Sequence, residues 1–379
     1  MTSKSEFDFQ MQSPLPTQLP ETGIGEEAAL ALVGSLANDG AANLAAADAF
    51  AHMDPPSAGI AAALSHQVAL TNQNLLHPAT SPLASILEQR LFDWVLPSFS
   101  MAWGTMCSGS TVANLTALWA AREAGATSVV ASADAHVSIP KAAHILGMKH
   151  HAVPVDARGR LVRAALPSLT NAALVLTAGT TGRGVVDDLS PITTRWLHVD
   201  AAWAGPLRFT CHANLLDGME NADSIAISAH KWLYQPKGAA LALFRDPEAK
   251  ASISFNSSYL ARANIGVEGT RSAVAIPLLA TLLAWGRQGL ADRIEKSIAV
   301  SKTLGERIND DPRMLLRQAP ETGVINWRPI AGNVERTAEL LSGTSSTVMI
   351  EGQLWLRQVA ANPHADVERI WQRIEAAVA

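Results

Sequence analysis

Two cysteines in 379 residues leave no room for a disulfide framework. A secreted chain of this length more often carries several pairs, so Cys107 and Cys211 point to a reducing compartment. Tyrosine is as scarce, with two residues, and aromatics make up only 5% of the chain. No segment is strongly basic and the net charge is -5, which argues against a nucleic-acid binder. No apolar run is long enough to cross a bilayer. The opening stretch MTSKSEFDFQMQSPLPTQLPETG has no apolar region behind its lysine, so a secretory signal is not expected. A soluble cytoplasmic protein, off the membrane, is therefore the expectation. The chain also lacks a GxxxxGK[ST] loop, any internal repeat, any long low-complexity tract and any readable metal-ligand set.

What is present forms a core. Hydrophobic residues make up 48% and charged residues 17%, ample for a large buried interior and too much chain for one average domain. Residues 1–25, rich in Pro, Ser, Gln and Thr, read as a loose arm. Residues 25–51 are Ala- and Leu-rich and read as helical, with HMDPP at 52–56 as a breaker. Helices are expected at 60–73, 85–95, 112–124 and 139–146. Short apolar strands are expected at 128–132, 151–155, 172–178, 196–199, 224–228 and 239–244. Alternation of this kind implies a mostly parallel α/β sheet. An apolar helix interrupted by Pro277 is expected over 272–283, and an amphipathic one over 290–308. Beyond about 310, short strands and a last helix at 366–378 suggest a smaller C-terminal domain.

Four segments carry chemistry, each where a strand ends or a helix begins, the place where open α/β sheets hold ligands. In Ser228-Ala229-His230-Lys231-Trp232, a lysine directly follows a buried strand. Desolvation there would free its amine as a Schiff-base nucleophile, the alternative being a lysine that merely reaches solvent. In HVDAAWAG, Asp200 closes an apolar strand before small residues. It either serves a ligand or caps the next helix. In Cys107-Ser108-Gly109-Ser110-Thr111, small hydroxyl residues lead into a helix whose free N–H groups can hold a phosphate, though a plain N-cap reads the same. In Asp134-Ala135-His136, a histidine between strand and helix either stacks on a flat ring or is structural.

Taken in order, these segments resemble the group II pyridoxal-phosphate (PLP) amino-acid decarboxylases, the family of the aromatic-amino-acid, glutamate and histidine decarboxylases. HVDAAWAG is similar to that family's HVDAAxxG signature, SAHKW to its xxHKW, and residues 177–188 (TAGTTGRGVVDD) to its GTTxxGxxDD turn. Thr80-Ser81-Pro82 with Glu88 is similar to its SPxxxxxE segment. The resemblance runs from about His52 to the C-terminus. It implies the PLP fold-type I architecture: an N-terminal arm and helical segment over 1–60, a large PLP-binding α/β domain over 61–290, and a small α+β domain over 291–379.

The resemblance further implies that Lys231 is the Schiff-base lysine, that Asp200 pairs with the pyridine nitrogen and that His136 stacks on the ring. Ser110 and Thr111 would bind phosphate, helped by Ser228 and His230. Ala202 would pack beneath the ring, and Thr180 would lie close to the cofactor or the substrate carboxylate. Arg271, in GTRS, matches an arginine of a GxRR-like stretch. The implied activity is decarboxylation of an L-amino acid to its amine and CO₂, in a homodimer with the active site at the interface. Other fold-type I reactions remain open: decarboxylation coupled to oxidative deamination, lyase chemistry or transamination. A non-catalytic PLP-binding protein is a further alternative, which the intact Lys231, Asp200 and His136 set disfavours.

The chain departs from the family in one stretch. Residues 257–271 are short where many members carry a mobile loop whose tyrosine protonates Cα. Here Tyr259 is the only phenol in that stretch, with His136 and His230 as alternative acids. Leu76 and His77 stand where aromatic decarboxylases carry bulky aromatic residues, which leaves a non-aromatic substrate open.

Overall fold

The structure is a computed structural model that describes residues 14–75, 79–258 and 263–379. The described residues up to Asn43 form one unit and 44–379 another. In the first, helix α1 (Glu26–Asp39) starts with Glu26 and Glu27 in its first turn and ends at Gly40; Leu30 and Val33 on it are exposed.

The second unit is built on a seven-stranded sheet. Helices α2 (Gly59–Thr71) and α3 (Ala84–Phe99) precede β1 (Trp103–Cys107). Then come α4 (Ser110–Glu123), β2 (Ser128–Ser132), α5 (Ser138–Ile145), β3 (Lys149–Val153), β4 (Ala172–Thr177), β5 (Trp196–Asp200), β6 (Ser224–Ser228) and β7 (Ala240–Phe244). The order across the sheet is β1-β7-β6-β5-β4-β2-β3. Neighbours from β3 through β2, β4 and β5 to β6 pair in parallel, and only β7 runs against the rest. This is the expected mostly parallel α/β sheet. β4, β5, β6 and β7 are buried along their whole length, as strands covered on both faces must be.

Helix α6 (Ala275–Asp310) follows a two-stranded ribbon, β8 (Ser254–Phe255) with β9 (Asn264–Ile265). A second, antiparallel sheet closes the chain in the order β10-β11-β13-β12, from β10 (Met314–Leu316), β11 (Val324–Pro329), β12 (Ser346–Ile350) and β13 (Gln353–Val359). Helices α7 (Val334–Leu340) and α8 (Val367–Val378) belong to the same region. Its core gathers Trp327, Leu356, Ile370 and Ile374, with Leu304 and Ile308 from α6.

Two expectations are corrected, and one strand is added. Residues 25–51 are not one helix: beyond Gly40 the chain is irregular. The Phe50 N–H donates to Gly343 O at 3.1 Å and its carbonyl accepts from Val359 N at 2.7 Å. Phe50 is thereby buried in the core of the second sheet, and tertiary pairing overrides the helix propensity of an Ala-rich run. Pro277 does not interrupt its helix, because it lies in the first turn of α6, where proline is tolerated. The break falls at Gly286, with φ 60° and ψ -177°. Strand β1 went unread because Gly104 weakens its pattern. A Cβ there would come within 2.5 Å of the Phe92 ring, so close packing of α3 on the sheet demands the glycine.

Candidate functional site

The parallel strands β4, β5 and β6 end side by side, and one pocket opens at those ends. Its walls include Ser110, His136, Thr177, Gly179, Thr181, Asp200, Ala202, Trp203 and Lys231. Sequentially distant segments are thus brought together where the carboxyl ends of a parallel sheet place ligands.

Lys231 sits in a tight loop leaving β6. Ala229 N donates to Ala239 O at 2.9 Å, Gln235 N to Ala229 O at 3.0 Å and Tyr234 N to Lys231 O at 2.9 Å, with Tyr234 at φ 56°. The next residue, Trp232, is fully buried. Its indole N–H donates to Ala360 O at 2.9 Å and its ring lies 3.9 Å from that of Trp203. Trp203 in turn donates to Thr322 O at 2.8 Å, so both tryptophans pin the site against the C-terminal region. Burial pulls the Lys231 ammonium below its usual pKa, and the Asp200 carboxylate opposes that shift without reversing it.

Asp200 ends β5 and is buried. Its Oδ1 accepts from Ala202 N and its Oδ2 from Asn114 Nδ2, each at 3.1 Å. Across the sheet it is in register with Thr177, whose hydroxyl is buried with no hydrogen-bond partner among the described residues. The His136 Nδ1 lies 2.8 Å from Ser138 Oγ and accepts from Ser138 N at 3.2 Å, which leaves the ring proton on Nε2. Burial lowers the His136 pKa; Asp200 raises it and Lys231 lowers it further. Ser110 opens α4, whose first N–H groups have no intrahelical acceptor. Gly109 before it adopts φ 155°, and Ser108 N donates to Glu268 Oε2 at 2.9 Å.

Other anticipated residues lie nearby in different settings. Thr111 follows Ser110 on α4 but is not among the pocket walls. Ser228 and His230 bond each other, Oγ to Nε2 at 3.1 Å, and His230 Nδ1 lies 3.2 Å from Ala239 O. Burial, then Lys237 and Lys231, pushes His230 down to about 4. Thr180 is absorbed by its turn: its hydroxyl accepts from Val185 N at 3.2 Å, and Thr181, not Thr180, lines the pocket. Arg271 pairs with Glu88 beside a separate cavity of about 400 Å³. Leu76, His77 and Tyr259 lie outside the described residues.

Arg357 was not anticipated. It lies on β13, is 8% exposed, and donates from Nε to Thr181 O at 2.7 Å. Its other contacts are the carbonyl of Ala51 and the hydroxyl of Ser346, and among the described residues it has no carboxylate partner. Burial lowers its pKa to about 10, with Asp54 opposing; Asp54 is itself engaged by Lys237. No local pattern marks an arginine in a C-terminal strand as part of this site. Only its burial beside a pocket wall does.

Comparison with known proteins gives a consistent result. Residues 49–329 match the model of the pyridoxal-dependent decarboxylase conserved domain. The chain is 30% identical over 410 residues to an L-2,4-diaminobutyrate decarboxylase of Rhizobium meliloti, covering 94% of this chain and 82% of that protein. It is also 30% identical over 329 residues to an aspartate 1-decarboxylase of Aliivibrio fischeri, covering 70% of this chain and 60% of that one. Among solved structures, the fold matches the glutamate decarboxylase domain of a diaminobutyrate-pyruvate transaminase and L-2,4-diaminobutyrate decarboxylase from Vibrio parahaemolyticus. That match has a TM-score of 0.84 at 20% identity and covers 99% of this chain and 89% of that one.

Proposed function

The chain belongs to the pyridoxal-dependent decarboxylase family and is a PLP-dependent carboxy-lyase acting on an amino acid; from that premise we propose that Lys231 carries the cofactor and that Arg357 receives the substrate carboxylate side. The observation that carries the reading is the desolvated Lys231 amine sharing one pocket with Asp200 and His136.

The residues fit PLP. The cofactor needs an amine for its aldehyde, an acidic partner for its ring nitrogen, a flat surface and an anion site. Lys231 offers the amine, Asp200 the carboxylate, His136 the ring, and Ser110 with Thr111 the helix N-terminus. The buried hydroxyl of Thr177, in register with Asp200, has no hydrogen-bond partner among the described residues and would find one on a bound ligand. Ser228 and His230 support this wall, and Ala202 presents a small side chain to it. Thr180 shapes the turn that places Thr181.

When bound, PLP supplies the electron sink for the bond that breaks. The chain does the rest. Desolvation favours the free amine of Lys231, the form that reacts with a carbonyl. Asp200, fixed by two hydrogen bonds, would hold a proton on the ring nitrogen of the bound cofactor. Arg357, buried and without a carboxylate partner among the described residues, orients an incoming carboxylate; burying a guanidinium is costly unless an anion pairs with it. His136, with its proton on Nε2, covers the pocket and helps exclude water.

No helix among the described residues is long and apolar enough to cross a membrane. A cytoplasmic homodimer with the active site at its interface is proposed. The exposed apolar side chains Leu30, Val33, Ile86 and Leu283 support the dimer. Sedimentation is expected to give twice the chain mass of 40.1 kDa, and an active monomer would refute the dimer. The activity is tested by feeding the purified protein a panel of L-2,4-diaminobutyrate, L-aspartate, L-glutamate, cysteine sulfinate and aromatic amino acids. CO₂ and amine are the expected products. Aldehyde with ammonia, or a keto acid alone, would overturn the assignment.

A further inference from the structure

Behind Asp200 runs a file of buried polar groups. Asn114 Nδ2 donates to Asp200 Oδ2 at 3.1 Å and to Ser138 Oγ at 2.9 Å. Asn114 Oδ1 lies 2.9 Å from His198 Nε2. His198 Nδ1 lies 2.9 Å from Ser224 Oγ and 3.2 Å from the Ser224 carbonyl, and the same hydroxyl accepts from Trp196 Nε1 at 2.8 Å. Asn114, His198 and Ser224 are all 0% exposed.

The direction of every bond follows from one end. A carboxylate only accepts, so the Asn114 atom facing Asp200 is the amide nitrogen. The carbonyl oxygen of Asn114 then faces His198, and Nε2 must carry a proton to bond it. Burial drives His198 down to about 4, so the ring is neutral; with the proton on Nε2, Nδ1 bears a lone pair and its 3.2 Å approach to the Ser224 carbonyl is a contact between two acceptors, not a hydrogen bond. Ser224 must donate to that lone pair, which leaves its oxygen free to accept the Trp196 indole N–H. On the other branch, Ser138 accepts from Asn114 and directs its own proton at His136 Nδ1, 2.8 Å away. Asn114 Nδ2 spends both of its protons, on Asp200 and on Ser138, and every hydrogen bond in the file points toward Asp200 or His136.

We propose that Asn114 and His198 are positioning residues, which lock the Asp200 carboxylate at one angle and hold His136 in its Nε2–H form through a single amide group. Neither side chain is among the pocket walls. His198 acts by denying Asn114 the freedom to flip. A flipped amide would set its oxygen against the carboxylate, with both unpaired and buried. The inference rests on the reading of Asp200 as the partner of a ring nitrogen. A carboxylate free to rotate would hold that nitrogen's proton less firmly, and the pKa of the nitrogen would fall.

The test uses the full-length holoenzyme and two readouts besides turnover: the dissociation constant for PLP, and the pH dependence of the bound cofactor's visible band. In the wild type the band is expected to be insensitive to pH wherever the fold is stable. His198→Leu removes the donor to Asn114, and Asn114→Leu removes the amide itself. Each is expected to weaken PLP binding roughly ten- to a hundredfold, the worth of a hydrogen bond to a charged group, and to make the band titrate. His198→Gln, which keeps an N–H for Asn114, is expected to stay within a few-fold of wild type with a pH-insensitive band. A folded leucine variant with wild-type binding and a fixed band overturns the proposal, as does a glutamine variant no better than leucine. Should the leucine variants not fold, Asn114→Asp decides. It preserves shape but opposes Asp200 with an oxygen, and an unchanged band in that variant is again fatal. A wild-type protein that binds no PLP would sink the functional reading instead.

Discussion

Arg271 and Glu88 form a two-pronged ion pair, Nη1 to Oε2 at 2.7 Å and Nη2 to Oε1 at 2.5 Å, with the two side chains only 19% and 11% exposed. The pair joins the segment ahead of α6 to α3 next to a cavity also lined by Trp103, Thr105 and Lys250. It is a structural clamp beside that cavity, which is separate from the Lys231 pocket. Glu88→Gln strands a buried guanidinium and is expected to cost about 3 to 5 kcal/mol in denaturant unfolding. Replacing both residues with apolar ones of similar volume should recover much of that loss. A single variant as stable as wild type would show that the pair is solvated and incidental.

Lys231 is expected to take the label when the holoprotein is reduced with borohydride and digested. Peptide mapping that places pyridoxyl on Lys141 or Lys237 would remove Lys231 from its role. The basis is the desolvated amine of Lys231, in contrast to Lys237, which is exposed and pairs with Asp54.

Arg357→Met should lower kcat/KM roughly ten- to a hundredfold, mainly through KM, because an amino-acid carboxylate loses its charged hydrogen-bond partner. The visible absorbance of bound PLP should not move. Arg357→Lys should recover only part, since an ammonium cannot reproduce a planar fork. A loss of PLP itself, with KM intact, would place Arg357 at the cofactor instead.

Stability should respond to pH through His198. Its folded pKa, near 4, lies below its ordinary 6.5, so between those values the unfolded chain takes up a proton that the folded chain refuses. This contribution is complete above pH 6.5 and is lost as pH falls toward 4, by about 3 kcal/mol. Asp187 acts with the opposite sign. Burial raises it from 3.8 to about 6, so the folded state gains stability as pH drops through 6. The comparison that isolates His198 is His198→Gln against wild type. The difference in melting temperature between the two should narrow or reverse from pH 7 to pH 5. Parallel curves would mean that His198 is charged in the folded protein.

The sequence by itself determined the parallel sheet and much of the site's membership. β2 and β6 coincide with the apolar runs that announce them, and β4 and β5 differ from theirs by one residue at an end. A strand covered on both faces has to be apolar along its length, so its pattern is local. Lys231, Asp200 and His136 were legible for the same reason: each closes such a strand or stands just beyond one, where a polar residue is conspicuous.

The rest depended on contacts between distant segments. Phe50 reads as part of a helix and is instead pinned to β13 by backbone bonds. Thr180 and Thr181 are equivalent in sequence, and only the turn closed by Val185 decides which one faces the pocket. Arg357 carries no motif and matters only because the second sheet brings it to the carbonyl of Thr181. Asn114 and His198 look like a helix residue and a strand residue. Their shared burial, 2.9 Å apart, turns them into a support for Asp200. Propensity and periodicity are properties of neighbours along the chain. Which buried donor meets which acceptor is fixed only when tertiary packing excludes water from both.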